Sequence, residues 1–317
     1  MAFCTLFNTA YLSRGLAMHA SLTQHMPSAH LYVVCFDDRC FEVLTQLSLP
    51  KLTPIRLNDF EDSALLAVKP TRSVSEYCWT CTPSVIRYVM QHYQLAQCTY
   101  LDADVYFFNS PEAALILGED HISITPHRYT PRYDQSVTSG IYCVQFMTFR
   151  NTEQGMKVLN WWRDRCIEWC YARSESGKFG DQKYLDDWPE RFSGVKVLVD
   201  PGLGVAPWNV QQYQVLPGGQ AEILATHKTF DMVFYHFHAC KVLTRKRFDL
   251  GGYCLNQAVI SHVYQPYTKQ LCQLEERLRH HGILDDVHGI NLNRPAPLQK
   301  VKRFLKGTHN MIKLDKE

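Results

Sequence analysis

The first forty residues alternate between apolar runs and an amphipathic segment, which predicts a strand, a helix and a second strand. Ala2–Phe7 is a short apolar run, residues 13–25 carry apolar side chains at helical spacing before Pro27, and residues 30–36 form a second run. This order implies parallel strands joined by a right-handed crossover. Ligands of such sheets bind beyond the carboxyl ends of the strands, so residues 8–11 and Asp37 are candidate nucleotide contacts.

The rest of the chain continues the mixture of strands and helices. Helices are predicted over residues 82–92, with Pro83 in the first turn, over 151–171, and over 266–282, where Gly282 ends the helix. Strands are predicted over residues 98–101, 122–125, 143–149 and 195–199. We find no internal repeat or low-complexity linker. The pattern therefore predicts one α/β domain over residues 1–265 and a C-terminal helical tail over 266–317.

Composition narrows the class of protein. The chain has 317 residues, of which 46% are hydrophobic and 20% charged, as in ordinary globular proteins. A net charge of +2 argues against a general nucleic-acid binder. There is no apolar run of about 20 residues to span a membrane, and the start MAFCTLFNTAYL lacks the features of a secretory signal. Twelve scattered cysteines are then expected to be reduced thiols in a cytoplasmic protein.

Two acids interrupt the apolar segment YLDADVYFF at residues 100–108. A buried carboxylate is costly unless it is paired or holds a metal. In a continuous strand, Asp102 and Asp104 would point to the same side, which suits a shared cation at the strand end. Oxygen ligands favour Mg²⁺ or Mn²⁺. The competing interpretation is a solvated turn after a strand.

A third metal ligand is available in FYHFHAC at residues 234–240. His236 and His238 would lie on one face of a short strand, and an imidazole ligand shifts the preference from Mg²⁺ toward Mn²⁺. The pattern does not decide between the two histidines. Taken alone, the pair is also typical of hydrogen-bonded core histidines.

Two other segments carry groups that suit a sugar ligand. Asp181 and Gln182, in GKFGDQKYLDDWP, offer acceptors and donors for hydroxyls, although Asp181 also fits the N-cap of a helix. Trp208, in PGLGVAPWN, can stack on a sugar ring or fill the core.

Two further motifs suggest functions other than sugar binding. CWTC at residues 78–81 has the spacing of a thiol–disulfide or zinc motif, but no strand leads into it and no second pair of cysteines completes a zinc site. PLQKVKRFLKG at residues 297–307 is a basic amphipathic stretch, which either contacts anionic lipid or docks on its own domain.

The order of these pieces resembles that of GT-A nucleotide-sugar glycosyltransferases, and is similar to family 8 and to bacterial enzymes of polysaccharide and lipopolysaccharide assembly. The resemblance runs from Phe3 to about Lys241, through FCTLFNTAYL, YLDADVYFF, IYCVQFMTF, GDQKYL, APWN and FYHFHACK. It implies a Rossmann-like GT-A fold, with a mixed, mainly parallel sheet flanked by helices. Residues 1–110 would form the nucleotide-sugar-binding half and residues 111–265 the acceptor half.

The same resemblance implies the activity. A metal-dependent enzyme would move a hexose from a nucleotide diphosphate donor, a UDP-sugar, to a glycan or glycolipid acceptor with retention. Asp102 and Asp104 match its DxD motif, His236 matches its metal-binding histidine, and Gln182, with Asp181 beside it, matches the reacting face. The expected donor contacts are Thr5, Phe7, Asn8, Tyr11, Asp37, Arg87, Asp102 and Lys241.

The chain also departs from that family. Cys143 and Gln145 stand where Asn and Gly are common, and Ala239 replaces a Gly. Thr9 occupies the position of the uracil-stacking aromatic, so Phe7 or Tyr11 must substitute. Two alternatives stay open: a nucleotidyltransferase, for which FNTAYLSRG has too few glycines, and a non-catalytic sugar-nucleotide-binding protein. The expected location is the cytoplasm, with peripheral contact at the inner membrane face as an open alternative.

Overall fold

Strands and helices alternate through the first hundred residues, and short strands dominate the second half. The computed structural model describes residues 1–290, 303 and 308–314. Its strands are β1 (Ala2–Phe7), β2 (His30–Cys35), β3 (Leu52–Arg56), β4 (Gln97–Leu101), β5 (Val105–Phe107), β6 (Ile122–Pro126), β7 (Tyr142–Arg150), β8 (Val195–Val197), β9 (Leu203–Val205), β10 (Tyr213–Leu216), β11 (Gln220–Ile223), β12 (Thr229–Asp231), β13 (Phe234–His236), β14 (Lys241–Thr244), β15 (Arg247–Asp249) and β16 (Met311–Lys313).

The helices cover both faces of these strands. They are α1 (Leu12–His25), α2 (Asp38–Leu47), α3 (Leu57–Phe60), α4 (Ser63–Val68), α5 (Val74–His92), α6 (Ser136–Ser139), α7 (Glu153–Glu168), α8 (Trp188–Arg191), α9 (Gln257–Val259) and α10 (Gln265–His280). A π-helical segment, Ile260–Tyr264, joins α9 to α10.

A seven-stranded sheet in the order β3-β2-β1-β4-β7-β6-β8 organises the fold. Strands β3, β2, β1 and β4 are parallel, β6 and β8 are parallel, and β7 runs antiparallel between β4 and β6. The predicted mixed, mainly parallel sheet flanked by helices is therefore confirmed. Because β1, β2 and β4 run in the same direction, their carboxyl ends meet at one edge, where ligands of such sheets bind.

Two hydrophobic clusters pack against this sheet. Adjacent residues Phe3 and Cys4 of β1 belong to different clusters, as expected for side chains that alternate across a strand. One cluster contains Leu16 of α1 and Leu271 of α10. The other contains Trp162 of α7 with side chains of α5. Burial of each such large side chain contributes about 1.5–3 kcal/mol, so the sheet edge that carries the candidate ligands rests on a well-packed support.

Helix α5 begins eight residues earlier than predicted. Ser73 accepts from the backbone N–H of Glu76, whose carboxylate accepts in turn from the N–H of Ser73, so the pair forms a capping box. Pro83 lies inside the helix, and its predicted place in the first turn is wrong. The Thr82 hydroxyl bonds back to the Cys78 carbonyl on this buried part of the helix. Packing in the core outweighs the local cost of proline here.

YLDADVYFF is not one strand. β4 ends at Leu101, the chain turns at residues 102–104, and β5 belongs to a different sheet with β13 and β9. The amide of Asp102 donates to the Gln145 carbonyl at 3.1 Å, and the amide of Val105 donates back to the Asp102 carbonyl at 3.3 Å. The acids therefore converge through this turn, and not through the predicted alternation of a single strand.

The C-terminal segment returns to the body of the protein. Residues of α10 lie in the same cluster as β1 and α1, and β16 pairs with β15. Arg303 holds Asp249 with two hydrogen bonds of 2.6 and 2.5 Å. Apart from Arg303, the basic amphipathic stretch predicted over residues 297–307 lies outside the described residues. In the described part of the chain, no helix combines the length and apolarity needed to cross a membrane.

Candidate functional site

Three side chains from two distant segments converge at the carboxyl edge of the sheet. The His236 Nε2 atom lies 3.1 Å from a carboxylate oxygen of Asp104 and 3.9 Å from one of Asp102. The antiparallel pairing of β13 with β5 places His236 opposite Val105, one residue after Asp104. The side chains are 23% exposed for Asp102, 17% for Asp104 and 7% for His236, so the cluster is largely shielded from water.

The charges of this cluster are strongly coupled. Burial raises the pKa of Asp102 to about 6, although the charge of His236 opposes the shift. Burial would also raise the pKa of Asp104, but the charge and hydrogen bond of His236 lower it to about 2. Burial opposes a charge on His236, yet Asp104 raises the pKa of this imidazole well above its usual value. Two carboxylates with one imidazole could hold a divalent cation such as Mn²⁺ or Mg²⁺.

Gln145 fixes the orientation of His236. The Nδ1 atom of His236 lies 2.8 Å from the Oε1 atom of the fully buried Gln145. An amide oxygen only accepts, so Nδ1 carries the donated proton and Nε2 is the atom presented to the acids. Gly204 makes room for this amide: its φ is +100°, and a Cβ there would lie 2.5 Å from the Gln145 Nε2 atom. Gln145 therefore acts as a positioning residue for the His236 imidazole.

We expect Gln145→Leu to weaken Mn²⁺ binding by roughly 10–100-fold, the usual effect of losing a hydrogen bond that orients a metal-binding histidine. Gln145→Glu keeps an acceptor for Nδ1 and should bind Mn²⁺ far better than the leucine variant. Calorimetric titration with Mn²⁺ measures both. Equal affinity in wild type and Gln145→Leu would contradict the role of Gln145.

The structure distinguishes the two candidate histidines. The ring of His238 lies 6.0 Å from that of His236 and packs its edge against Trp208 at 5.5 Å. Trp208 is buried, contacts His236 at 5.2 Å, and donates its indole N–H to the His127 carbonyl. The geometry favours His236 over His238 as the candidate ligand. Trp208 packs against the His236 ring as part of the core.

Asp181 approaches the cluster from a third direction. Its side chain is buried, and the Oδ2 atom has no hydrogen-bond partner among the described residues. Burial and, second, the charge of Asp102 raise the pKa of Asp181 to about 7. Trp162 holds the loop by donating to the Asp181 carbonyl at 2.8 Å. The neighbouring Gln182 donates to the Ser139 carbonyl at 2.7 Å. The short helix Lys183–Leu185 has Gln182 at its N-cap, so the alternative interpretation of Asp181 as a helix N-cap is wrong.

The CWTC motif lies on α5 beside this loop. Burial and the charge of Asp181 raise the pKa of Cys78 to about 12, and burial raises that of Cys81 well above its usual value. Redox-active cysteines need a depressed pKa, so these thiols have the wrong environment for disulfide exchange.

The loop after β1 is held by Asp37. The Asp37 carboxylate accepts from the Thr9 hydroxyl at 2.5 Å, the Thr9 amide at 2.9 Å and the Cys40 amide at 2.7 Å. It therefore shapes the predicted nucleotide loop and caps α2. Tyr11 is 42% exposed, whereas Phe7 is buried and its ring packs against Gly15. Of the two candidate stacking aromatics, Tyr11 is the accessible one.

The remaining predicted donor contacts have different surroundings. Thr5 is fully buried in β1, while Asn8 is partly buried at its end. Lys241 begins β14, directly after the loop that contains Ala239, whose φ of +61° lies in the left-handed region that favours glycine. Arg87 is not brought to the cluster: it lines a pocket of about 430 Å³ whose other residues are Asp59, Phe60, Glu61, Asp62, Leu65, Ser84, Tyr88, Gln91, His92 and Arg163.

Sequence reasoning missed Arg14. This buried guanidinium donates to the carbonyls of His288 at 3.0 Å and Cys240 at 3.3 Å, and lies 4.5 Å from the centre of the Tyr11 ring. It joins the loop after β1 to the segment before Lys241. Its charge adds to the larger effect of His236 in lowering the pKa of Asp104, which burial opposes. The available signal was an arginine on the apolar side of an amphipathic helix.

Comparison with known proteins gives relatives and a shared fold. No family model matches the chain. It is 32% identical over 281 residues to the uncharacterized protein YfnD of Bacillus subtilis (strain 168), an alignment that covers 85% of this chain and 88% of YfnD. It is 29% identical over 252 residues to the uncharacterized protein YfnF of the same organism, covering 77% and 82%.

The solved structures that share the fold include two glycosyltransferases. The galactosyltransferase LgtC, in complex with donor and acceptor sugar analogs, aligns with a TM-score of 0.55 at 11% identity, over 88% of this chain and 99% of LgtC. The apo form of the glycosyltransferase GlyE from Streptococcus pneumoniae TIGR4 aligns with a TM-score of 0.51 at 12% identity, over 89% of this chain and 64% of GlyE. The predicted GT-A fold is confirmed by these likenesses.

Proposed function

The chain belongs to the protein family of YfnD from Bacillus subtilis and has a GT-A glycosyltransferase fold, and on this premise we propose that it is a metal-dependent glycosyltransferase. The observation that carries the proposal is the convergence of His236 with Asp102 and Asp104 at the carboxyl edge of the sheet. A sugar nucleotide presents its diphosphate at such an edge, where a divalent ion neutralises the charge of the leaving group.

We assign the donor-binding roles to groups around that cluster. Asp102, Asp104 and His236 would hold Mn²⁺ or Mg²⁺. Tyr11 stacks on the base, which we propose to be uracil, and Lys241 adds a positive charge for the diphosphate. Thr5, Asn8 and Asp37 belong to this half through the strand and loop that they shape. We assign no donor contact to Arg87, because it lines the pocket that also contains Asp62 and Arg163.

We propose a transfer with retention of configuration, as the resemblance to family 8 implies, and a retaining transfer of this kind needs no carboxylate base for the acceptor hydroxyl. Burial and the charge of Asp102 raise the pKa of Asp181 to about 7, so this carboxyl is partly protonated at neutral pH. Its unpartnered Oδ2 atom suits a hydrogen bond from a hydroxyl of the transferred hexose. Asp181 and Gln182 would thus orient the sugar at the reacting face.

The second half of the domain offers a surface for a sugar acceptor. Tyr129, Tyr133 and Tyr253 are partly buried and pack around Trp208, next to the metal-binding histidine. Aromatic side chains of this kind stack on the apolar faces of sugar rings. We propose a glycan or glycolipid acceptor in polysaccharide or lipopolysaccharide assembly. Because the proposed donor is a nucleotide sugar, we place the reaction in the cytoplasm. Residues 297–307 are the segment that we propose for peripheral contact with the membrane.

A panel of nucleotide sugars tests the proposal. We expect slow hydrolysis of one UDP-hexose in the presence of Mn²⁺ and loss of that hydrolysis with EDTA, restored by added Mn²⁺. Release of pyrophosphate from a nucleoside triphosphate and a sugar phosphate would instead identify a nucleotidyltransferase. Donor binding without turnover, in the presence of any acceptor tried, would identify a non-catalytic binding protein.

A further inference from the structure

Cys143 is a fourth potential ligand at the metal cluster. A carboxylate oxygen of Asp102, the sulfur of Cys143 and a ring nitrogen of His236 all lie within 4.8 Å of one another. Cys143 is two residues from Gln145 on β7, so both side chains point to the same face of the strand, toward the imidazole. The thiol is only 3% exposed. The ligand atoms are thus gathered in a site shielded from bulk water.

This set differs chemically from the set of the two acids and His236. One oxygen, one sulfur and one nitrogen are ligands typical of tetrahedral Zn²⁺, with bonds of about 2.0–2.3 Å. Soft thiolate ligands select ions such as Zn²⁺ and Co²⁺ over Mn²⁺ and Mg²⁺, for which oxygen ligands are preferred. Asp104 approaches the Nε2 atom of His236 at 3.1 Å and completes the oxygen-rich set. Two overlapping ligand sets therefore share Asp102 and His236.

We propose that Cys143 makes this centre a site for thiophilic divalent ions, held by Asp102, Cys143 and His236 in competition with Mn²⁺ at the oxygen-rich set. The inference rests on the proposed function in one respect: the oxygen-rich set that competes for Asp102 and His236 is the metal site of the proposed glycosyltransferase. Binding forms a metal–sulfur bond and releases the thiol proton to solvent, so no oxidant or reductant is needed. An ion bound by Cys143 would not contact Asp104 or the diphosphate of the donor. Zn²⁺ would therefore inhibit the sugar transfer that Mn²⁺ supports.

Co²⁺ provides a readout that does not depend on activity, because a thiolate ligand gives a charge-transfer absorption in the near ultraviolet. We expect this band in the wild type at one equivalent of Co²⁺, its loss in Cys143→Ser, and its persistence in Cys272→Ser, which removes a more accessible thiol on α10. In competition titrations, Zn²⁺ affinity should fall by roughly tenfold or more in Cys143→Ser, whereas Mn²⁺ affinity should change by about twofold at most.

Further variants keep this test decisive. Cys143→Asn places an amide at the position and should also lose the band while it binds Mn²⁺, which shows that the site is folded. A band that survives in Cys143→Ser or is absent from the wild type would overturn the inference. If Mn²⁺ supports sugar transfer but Co²⁺ gives no band, the inference alone fails. If the band depends on Cys143 but no nucleotide sugar is turned over, the proposed function alone fails.

Discussion

Asp104→Asn is expected to reduce kcat/KM for Mn²⁺-dependent sugar transfer by on the order of 10³-fold. The amide keeps the shape of the carboxylate but removes the charge that faces the Nε2 atom of His236 at 3.1 Å. A bound metal contributes several kcal/mol to charge stabilisation in such reactions, and about 4 kcal/mol corresponds to a factor of 10³. Since the depressed pKa keeps Asp104 ionised throughout the neutral range, the loss should be the same at pH 6 and pH 8.

Steady-state kinetics across a range of Mn²⁺ concentrations measures this effect. Asp164→Asn is the matched control, because Asp164 is an exposed carboxylate on α7. Thermal unfolding of both variants separates a loss of chemistry from a loss of fold. Full turnover by Asp104→Asn would contradict the assigned ligand role. So would a variant that binds Mn²⁺ as tightly as the wild type and reaches the wild-type rate at saturating Mn²⁺.

The opening β1–α1–β2 unit was predictable because local periodicity determines it. Its strand and helix boundaries differ from the predicted ones by at most one residue. The start of α5 was missed, although Ser73 and Glu76 carry a capping signal that can be read from the sequence. Pro83 was given too much weight, because burial in the core compensates for a local break.

The candidate site was predictable in its residues and not in its geometry. Asp102 and Asp104 follow from residue type and context, whereas the choice of His236 over His238 follows from the resemblance to GT-A glycosyltransferases. The turn that aligns the acids depends on a bond from the Asp102 amide to the Gln145 carbonyl. Cys143 and Gln145 reach the imidazole through the register between β4 and β7, which pairs Leu101 with Phe146. Register between strands this distant in sequence is a property of the folded sheet, and a single sequence does not reveal it.

Asp181→Asn is expected to lower kcat/KM for sugar transfer by on the order of 100-fold, since loss of one preorganised hydrogen-bonding group at a reacting centre costs roughly 10²–10³-fold in kcat. The asparagine keeps the size of the side chain and presents one acceptor oxygen, but it cannot ionise beside Asp102. The Oδ2 atom of Asp181 is buried and unpartnered among the described residues, so it is free to accept from a substrate hydroxyl. A larger effect on kcat than on KM would assign the contact to the transition state.

The same substitution should change how stability depends on pH. The pKa of Asp181 is about 7 in the folded protein against 3.8 for an ordinary aspartate, because the ionised form is buried near Asp102. Between these values the folded state binds more protons than the unfolded chain, so the free energy of unfolding falls as pH rises. The contribution of this carboxyl reaches about 4 kcal/mol at full ionisation, from about 1.4 kcal/mol per pKa unit.

Urea unfolding at pH 5 and pH 8, in EDTA, measures that dependence. Titrating groups other than the coupled Asp102 contribute equally to both proteins, so the informative quantity is the difference between wild type and Asp181→Asn, which reports the Asp181–Asp102 pair. The wild type should lose more stability than the variant over this interval, and Asp164→Asn should follow the wild type. If the free energy of unfolding depends on pH in the same way in wild type and Asp181→Asn, Asp181 ionises freely in the folded protein. That result would remove the physical reason for placing a neutral carboxyl beside the transferred sugar.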